Sequence, residues 1–313
     1  MKDIVFEKNV SLKEYTTFKV GGPAKYFFIA RDKMSLEGAV AAAKEKKLPV
    51  FIFGGGSNLL VSDKGFRGLV IKNEIKEIEF LEDKVLVGSG YVLSKFASEA
   101  SKKGFSGFEW AIGIPSATVG GAAYGNAQAF GSRTSDLINE VEVFDLKTLK
   151  LKKLSKSQCK FSLKSSIFKK NKDLVIVSVV FDLKRGNGEE IKENAARFLK
   201  HRKHSHPLEF PSAGSVFVNP EIKIKNKRLL KDYPELNELN KNQAIPSGYL
   251  IENAGLKGKK IGKAQISEKH ANFIINLGGA KAKDIVALMN LAQKRVKEVF
   301  NVKLETEIQR IGF

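Results

Sequence analysis

Cysteine is almost missing from this chain. Cys159 is the only one in 313 residues, so no internal disulfide can form and a reducing, cytoplasmic setting fits. Long hydrophobic runs are missing too. Nothing approaches the roughly 20 apolar residues of a membrane span, and Met1–Glu7 has neither the apolar core nor the cleavage site of a signal peptide. Arginine is scarce, supplying nine of the 54 basic residues. The rest are lysines spread along the chain, with clusters at 43–47, 150–156 and 257–263. No heptad, zinc-finger spacing, helix-turn-helix or aromatic–basic interleaving accompanies them. The net charge of +20 therefore reads as a solvated lysine-rich surface rather than a nucleic-acid face. Such a field still gathers anionic small molecules. Internal repeats and low-complexity tails are absent.

What is present is a globular chain. Hydrophobic residues make up 42%, enough for a packed core, and the length suits two domains at about 150 residues each. Periodicity predicts helices at 35–47, with Ser35 as cap, and at 92–103, 189–203 and 282–300. In the last, Ile285, Leu288, Met289, Ala292, Val296 and Val299 share a face. Strands are expected at 49–53, 75–81, 84–89, 173–183, 261–266, 271–276 and 302–308, with a hairpin over 140–154. Residues 221–248 read as irregular.

Three places carry candidate chemistry. Pro211-Ser212-Ala213-Gly214-Ser215-Val216-Phe217 places a serine after a glycine that can take backbone angles closed to other residues. The hydroxyl could face a ligand; an ordinary turn leading into a strand explains the same residues. Gly54-Gly55-Gly56-Ser57-Asn58-Leu59 follows an apolar strand and lacks both the dinucleotide fingerprint and a closing Gly-Lys-Ser/Thr. It suits a pyrophosphate cradle and a structural glycine turn about equally. Gly113–Gly131 is low in side-chain bulk, as if laid against a flat or phosphorylated group, or packed tightly against its neighbours. Glu305 and Glu307 lie two apart on the expected final strand, hence on one face. His201, His204 and His206 have loose metal-like spacing, but Arg202 and Lys203 sit among them and no cysteine joins them. We assign no metal site.

Taken in order, the motifs resemble one family. They are Tyr15–Ala24, Gly54–Asp63, Gly120-Gly121 with Asn126, Cys159-Lys160-Phe161 with Ser166–Lys169, Pro207–Phe217, Ala254–Gly258, Ser267–Phe273 and Leu304–Glu307. The chain is similar from about Leu12 to Gly312 to UDP-N-acetylenolpyruvoylglucosamine reductase, also called UDP-N-acetylmuramate dehydrogenase. It looks like the shorter form, without a tyrosine-bearing insertion. The resemblance implies an α+β protein: a two-part FAD-binding fold of the vanillyl-alcohol-oxidase type plus a C-terminal α+β substrate domain. The expected division is 1–72 with 301–313, then 73–205, then 206–300. The resemblance further implies an NADPH-using flavoprotein oxidoreductase. It would reduce UDP-N-acetylglucosamine enolpyruvate in cytoplasmic peptidoglycan synthesis, as a monomer without nucleic-acid or membrane partners. By matched position, Ser215 is the proton donor, Glu307 a catalytic glutamate and Asn219 a substrate-contacting amide. Gly54, Gly55, Gly56, Ser57, Asn58, Leu59, Ile114, Pro115, Thr118, Gly120, Gly121 and Asn126 fall on the FAD-binding segments.

Five positions depart from the family pattern. Lys164 stands where an arginine pairs with the substrate carboxylate, which keeps the charge and loses the two-pronged fit. Ser116-Ala117, with one extra residue, replaces a glycine beside the flavin. Gln128, Val218 and His206 replace glycine, lysine and glutamine. These changes raise the alternative of a diverged flavin oxidoreductase with another substrate or reduced activity. A non-enzymatic basic binding protein is a further alternative for a chain of net charge +20.

Overall fold

A computed structural model describes residues 4–313, which form two units. The first comprises the N-terminal segment through Ser11, Pro23–Gly56 and Phe66–His204. Its smaller sheet has the order Glu7–Ser11, Pro23–Ala30, Phe66–Asn73, Val50–Phe53. The first pair is antiparallel and the others parallel, because a helix carries the chain from Pro23–Ala30 to Val50–Phe53. That helix, Lys33–Glu45, starts one turn earlier than Ser35 suggested. Asp32 is its cap, accepting the Ser35 amide at 2.7 Å, while the Ser35 hydroxyl accepts the Asp32 amide at 3.2 Å. Ser35 thus closes a capping box rather than starting the helix. Leu36, Ala39, Val40 and Ala43 form a buried stripe in one core with Leu69 and Ile71.

The larger sheet of this unit is antiparallel, in the order Lys150–Ser155, Ile138–Asp145, Leu174–Asp182, Lys84–Gly88, Ile78–Phe80. The expected hairpin is its edge, turning where Asp145 accepts the Lys147 and Thr148 amides. The lysine cluster of the sequence lies on the exposed outer strand, where charge discourages edge-to-edge pairing. Helix Leu93–Lys102 buries Phe96, whose ring meets Phe108 at 4.7 Å and Phe181 at 5.3 Å. The expected helix over 189–203 extends over Gly188–Ser205.

The second unit comprises Leu12–Gly22, Ser57–Gly65 and Ser205–Phe313. Helix Ala282–Phe300 matches its predicted span and buries Ile285, Leu288, Met289, Ala292 and Val296, the larger four side chains each worth about 1.5–3 kcal/mol. Its first turn is capped from a distant segment, Asp63 accepting the Ala282 and Lys283 amides at 2.8 and 3.1 Å. A three-stranded antiparallel sheet, Lys260–Ile261, Ala264–Ile266 and Ile274–Asn276, shares a core with this helix. Residues 221–248 are more ordered than their prolines suggested, carrying short helices at Lys227–Asp232 and Leu236–Leu239.

The strand expected at 302–308 does not form. Thr306 alone makes an isolated bridge there, and the regular strand is Gln309–Ile311, parallel to Leu59–Val61. Leu304 and Ile308 are buried with the long helix, so alternation reflected burial rather than a ladder. Residues 301–313, expected to complete the first region, accordingly group with Ser205–Phe300.

Candidate active site

Ser215 sits in a short segment held from both sides within the second unit. Gly214 takes φ +74°, with nothing within 4 Å of an added Cβ, so backbone conformation rather than crowding requires glycine. Ser215 bridges Phe273, and Phe217 bridges Thr306, both antiparallel. The Val216 amide donates to the Asn272 carbonyl at 2.8 Å, and the Glu307 amide donates to the Val216 carbonyl at 2.8 Å. Val216 and Phe217 are fully buried. Ser215 and Glu307 are half-buried, with Glu305 exposed. The residues at 215 and 307 are therefore locked through one shared neighbour, Val216.

Two amides complete this frame. The Asn219 Oδ1 accepts the Ser247 amide at 2.9 Å, and the Ser247 hydroxyl donates to the Val218 carbonyl at 2.7 Å. That fixes the Asn219 rotamer and directs its NH2 donor elsewhere. Asn58 Nδ2 donates to the Glu307 carbonyl at 3.2 Å, and the Gln309 amide donates to the Asn58 carbonyl at 2.9 Å. Asn58 and Ser57 are half-buried and Leu59 is buried, at the start of its strand.

In the first unit, Gly54 and Gly55 lie against the second glycine-rich stretch. A Cβ on Gly54 would come within 2.2 Å of the Thr118 Oγ1, and one on Gly55 within 1.6 Å of the Ser116 carbonyl oxygen. Gly120 is also crowded, an added Cβ falling 2.7 Å from that of Ser89. These glycines permit close packing of loop on loop. The helix Val119–Gly125 offers no spare donors at its start. Thr118 Oγ1 takes the Gly121 amide at 3.3 Å, Ser89 takes that of Gly120, Tyr91 that of Val119 and Thr118 that of Ala122. Gly120 therefore serves by lacking a side chain, whereas Gly121 is exposed and a Cβ there would meet only the Thr118 Oγ1, at 3.3 Å. By contrast, the backbone N–H groups of Gly54, Gly55, Ser57 and Asn58 have no chain partner among the described residues. Such donors beside side-chain-free backbone fit the pyrophosphate of a dinucleotide cofactor. Ile114 is half-buried, its amide spent on Ala111, and Pro115 is exposed.

Ser116 follows with φ +55°, a left-handed conformation that costs a non-glycine residue about 1–2 kcal/mol. The family's glycine at this point thus has a backbone reason, and this chain carries the strain. Gly55→Ala is expected to push Ser116 away, because the obstructing atom is its backbone carbonyl oxygen. About 2–3 kcal/mol of stability should go, together with most of the flavin that co-purifies. Thermal melting and the absorbance ratio at 450 and 280 nm would check both.

Lys164 occupies a two-residue turn in the first unit. Ser162 and Ser165 exchange backbone hydrogen bonds of 3.0 and 3.2 Å around Leu163-Lys164, and Lys164 takes φ +50°. Its carbonyl accepts the Lys169 ammonium at 2.8 Å. Asn126, assigned by resemblance to the cofactor, has its side chain spent on the chain itself: Oδ1 accepts the Ser135 amide at 3.1 Å and Nδ2 donates to the Ser162 carbonyl at 2.9 Å. It is 1% exposed and anchors the Lys164 turn. Cys159 is buried, which pushes its thiol up to about 11, so it packs as a neutral side chain. His206 meets the His270 ring at a tilt and Phe273 edge-on, and His201 meets Phe130 edge-on. Among the described residues no group of three His, Cys, Asp or Glu side chains is placed to hold a metal ion.

Sequence reasoning missed Ser247 and gave Asn272 no role, although the Ser267–Phe273 motif contains it. Each acts on backbone far away in the chain, which local pattern does not report.

Comparison with known proteins agrees with this architecture. Residues 24–153 match an FAD-binding domain family. Residues 206–311 match the UDP-N-acetylenolpyruvoylglucosamine reductase C-terminal domain family. The UDP-N-acetylenolpyruvoylglucosamine reductase of Caldicellulosiruptor bescii is 41% identical over 313 residues, covering 99% of this chain and 91% of its own. That of Clostridium novyi is 39% identical over 307 residues, covering 98% and 92%. The crystal structure of the UDP-N-acetylenolpyruvylglucosamine reductase from Thermus caldophilus superposes with a TM-score of 0.76 at 32% identity, covering 98% of this chain and 99% of that one. With an FAD-binding domain, a matching C-terminal domain and relatives alike over nearly their whole length, the chain belongs to the UDP-N-acetylenolpyruvoylglucosamine reductase family.

Proposed function

We propose that this protein is an NADPH-dependent flavoprotein that reduces UDP-N-acetylglucosamine enolpyruvate to UDP-N-acetylmuramate, a step of peptidoglycan precursor synthesis. The observation that carries this reading is the frame at Val216, which ties the Ser215 segment directly to Glu307. No helix among the described residues is long and apolar enough to cross a membrane. We place the reaction in the cytoplasm and take the enzyme as a monomer without nucleic-acid or membrane partners.

Bound FAD would supply hydride chemistry, accepting hydride from NADPH and returning it to the terminal methylene carbon of the enol ether. Gly54, Gly55, Ser57 and Asn58 are the donors we assign to its pyrophosphate. As the methylene gains hydride, negative charge grows on the adjacent carbon and spreads into the carboxylate. Lys164 supplies a point charge for that carboxylate, and Glu307 is the carboxyl group we assign to the enolate side of the substrate. Ser215 then gives its hydroxyl proton to the adjacent carbon, completing the D-lactyl ether, and regains a proton from water. An alcohol is a weak acid, so this step relies on a strongly basic enolate and a well-held hydroxyl. Asn219 donates its free NH2 to the sugar nucleotide.

The visible spectrum tests the whole reading. Purified protein should be yellow, bleach with NADPH and recover its colour with the enolpyruvyl sugar nucleotide. Bleaching without recovery would remove the substrate assignment. Lys164→Arg should restore a bidentate contact and raise turnover up to about tenfold without changing flavin reduction. No gain would mean that the lysine already suffices at this position.

A further inference from the structure

Three of the four backbone polar groups on Val216 and Phe217 are satisfied by one residue. The Asn272 carbonyl accepts the Val216 amide at 2.8 Å. Its side-chain Oδ1 accepts the Phe217 amide at 3.0 Å, and its Nδ2 donates to the Phe217 carbonyl at 2.8 Å. The fourth group, the Val216 carbonyl, goes to Glu307. The segment has no regular strand pairing to fall back on, only single bridges at Ser215 and Phe217 with a bend at Val216 between them.

An asparagine side chain suits this place chemically. Its amide presents one acceptor and one donor side by side, as a peptide edge does, and so imitates a strand partner for one residue. Aspartate has no donor, leucine has neither group and glutamine carries the amide one methylene further out. Asn272 is 3% exposed, so water does not compete for these bonds. Asn272 is itself held: its backbone N–H donates to His270 Nδ1 at 3.2 Å, a role open only to an unprotonated nitrogen, and burial keeps that imidazole below its ordinary value. The Phe273 amide donates to the His270 carbonyl at 2.9 Å, and the Ser267 amide to the Phe273 carbonyl at 2.8 Å.

We propose that Asn272 is the positioning residue for proton transfer: its side-chain amide clamps Phe217 and thereby holds Ser215 and Glu307 in working register. This rests on the reading of Ser215 as donor and Glu307 as catalytic carboxylate. Asn272 touches no reacting atom in this role. It acts on the angle at which the Ser215 hydroxyl is presented, and misplacement by about 1 Å can cost on the order of 10²-fold in rate.

The test measures the two half-reactions separately by flavin absorbance in the holoenzyme. Asn272→Asp keeps the size and removes the donor. It should slow reoxidation by the sugar nucleotide about 10²-fold, leave reduction by NADPH within about twofold and leave the sugar-nucleotide KM nearly unchanged. The product should also lose stereochemical purity, because water protonates the enolate from either side when the donor is misplaced. Asn272→Gln, which retains both groups, should show the same split at about tenfold and serves where the aspartate variant does not fold. Equal slowing of both half-reactions, or stereochemically pure product from a slowed variant, would overturn the clamp. Ser215→Ala is run alongside. If it is crippled while both Asn272 variants react normally, the clamp fails and the donor assignment stands. If Ser215→Ala reoxidises at the normal rate, the donor assignment fails first.

Discussion

Ser215→Ala is expected to slow reoxidation of the reduced flavin by UDP-N-acetylglucosamine enolpyruvate by about 10³-fold, within the 10²–10⁴ range of a positioned general acid. Reduction by NADPH should stay near the wild-type rate, since no proton from Ser215 enters that step. Stopped-flow absorbance at 450 nm separates the two. The structural side effect should be small. Ser215 is half-buried and its neighbours Val216 and Phe217 carry the packing, so the melting temperature should barely move. Equal loss in both half-reactions would contradict the donor role.

Glu307→Gln is expected to slow the same half-reaction by about 10²–10³-fold, the usual cost of removing one group aimed at a developing oxyanion. Glu305→Gln should stay within about twofold of wild type. The two glutamates share charge and chain neighbourhood, so composition cannot separate them. Their settings can. Glu307 is half-buried, its amide bonded to Val216 and its carbonyl to Asn58. Glu305 is exposed and contributes its carbonyl to Val218. Comparable losses from both substitutions would assign the effect to the segment's conformation rather than to the Glu307 carboxylate.

Much of the fold was legible because burial writes periodicity into the chain. The long helix expected at about 282–300 was readable because its stripe from Ile285 to Val299 repeats over about four turns. The 140–154 hairpin was legible from an Asp-containing turn between alternating strands. Errors arose where a neighbour far along the chain determined the outcome. Ser35 looked like a cap, but Asp32 had the better geometry for the first turn. Alternation at 302–308 resembled a strand, yet Leu304 and Ile308 were alternating into a core beside a helix. The glycines at 54 and 55 suggested a ligand cradle; their side of closest approach is Ser116 and Thr118.

By itself, the sequence determined the family, the flavin chemistry that goes with it and the identity of the serine at 215, because ordered motifs survive without knowledge of distance. It also flagged Lys164 and Ser116 as departures. Only the tertiary structure decided what those residues experience. Ser116 and Lys164 both hold left-handed backbone. At 116 the departure from glycine therefore has a conformational cost, whereas at 164 lysine replaces another non-glycine residue and the change is one of chemistry. Asn126 became an anchor, Gly120 became a spacer, and Asn272 emerged as the residue that holds the backbone of Val216 and Phe217. The reason is physical. A hydrogen bond between residues 217 and 272 depends on chain paths that no local pattern encodes, whereas the hydrophobic period that builds a helix is local by construction.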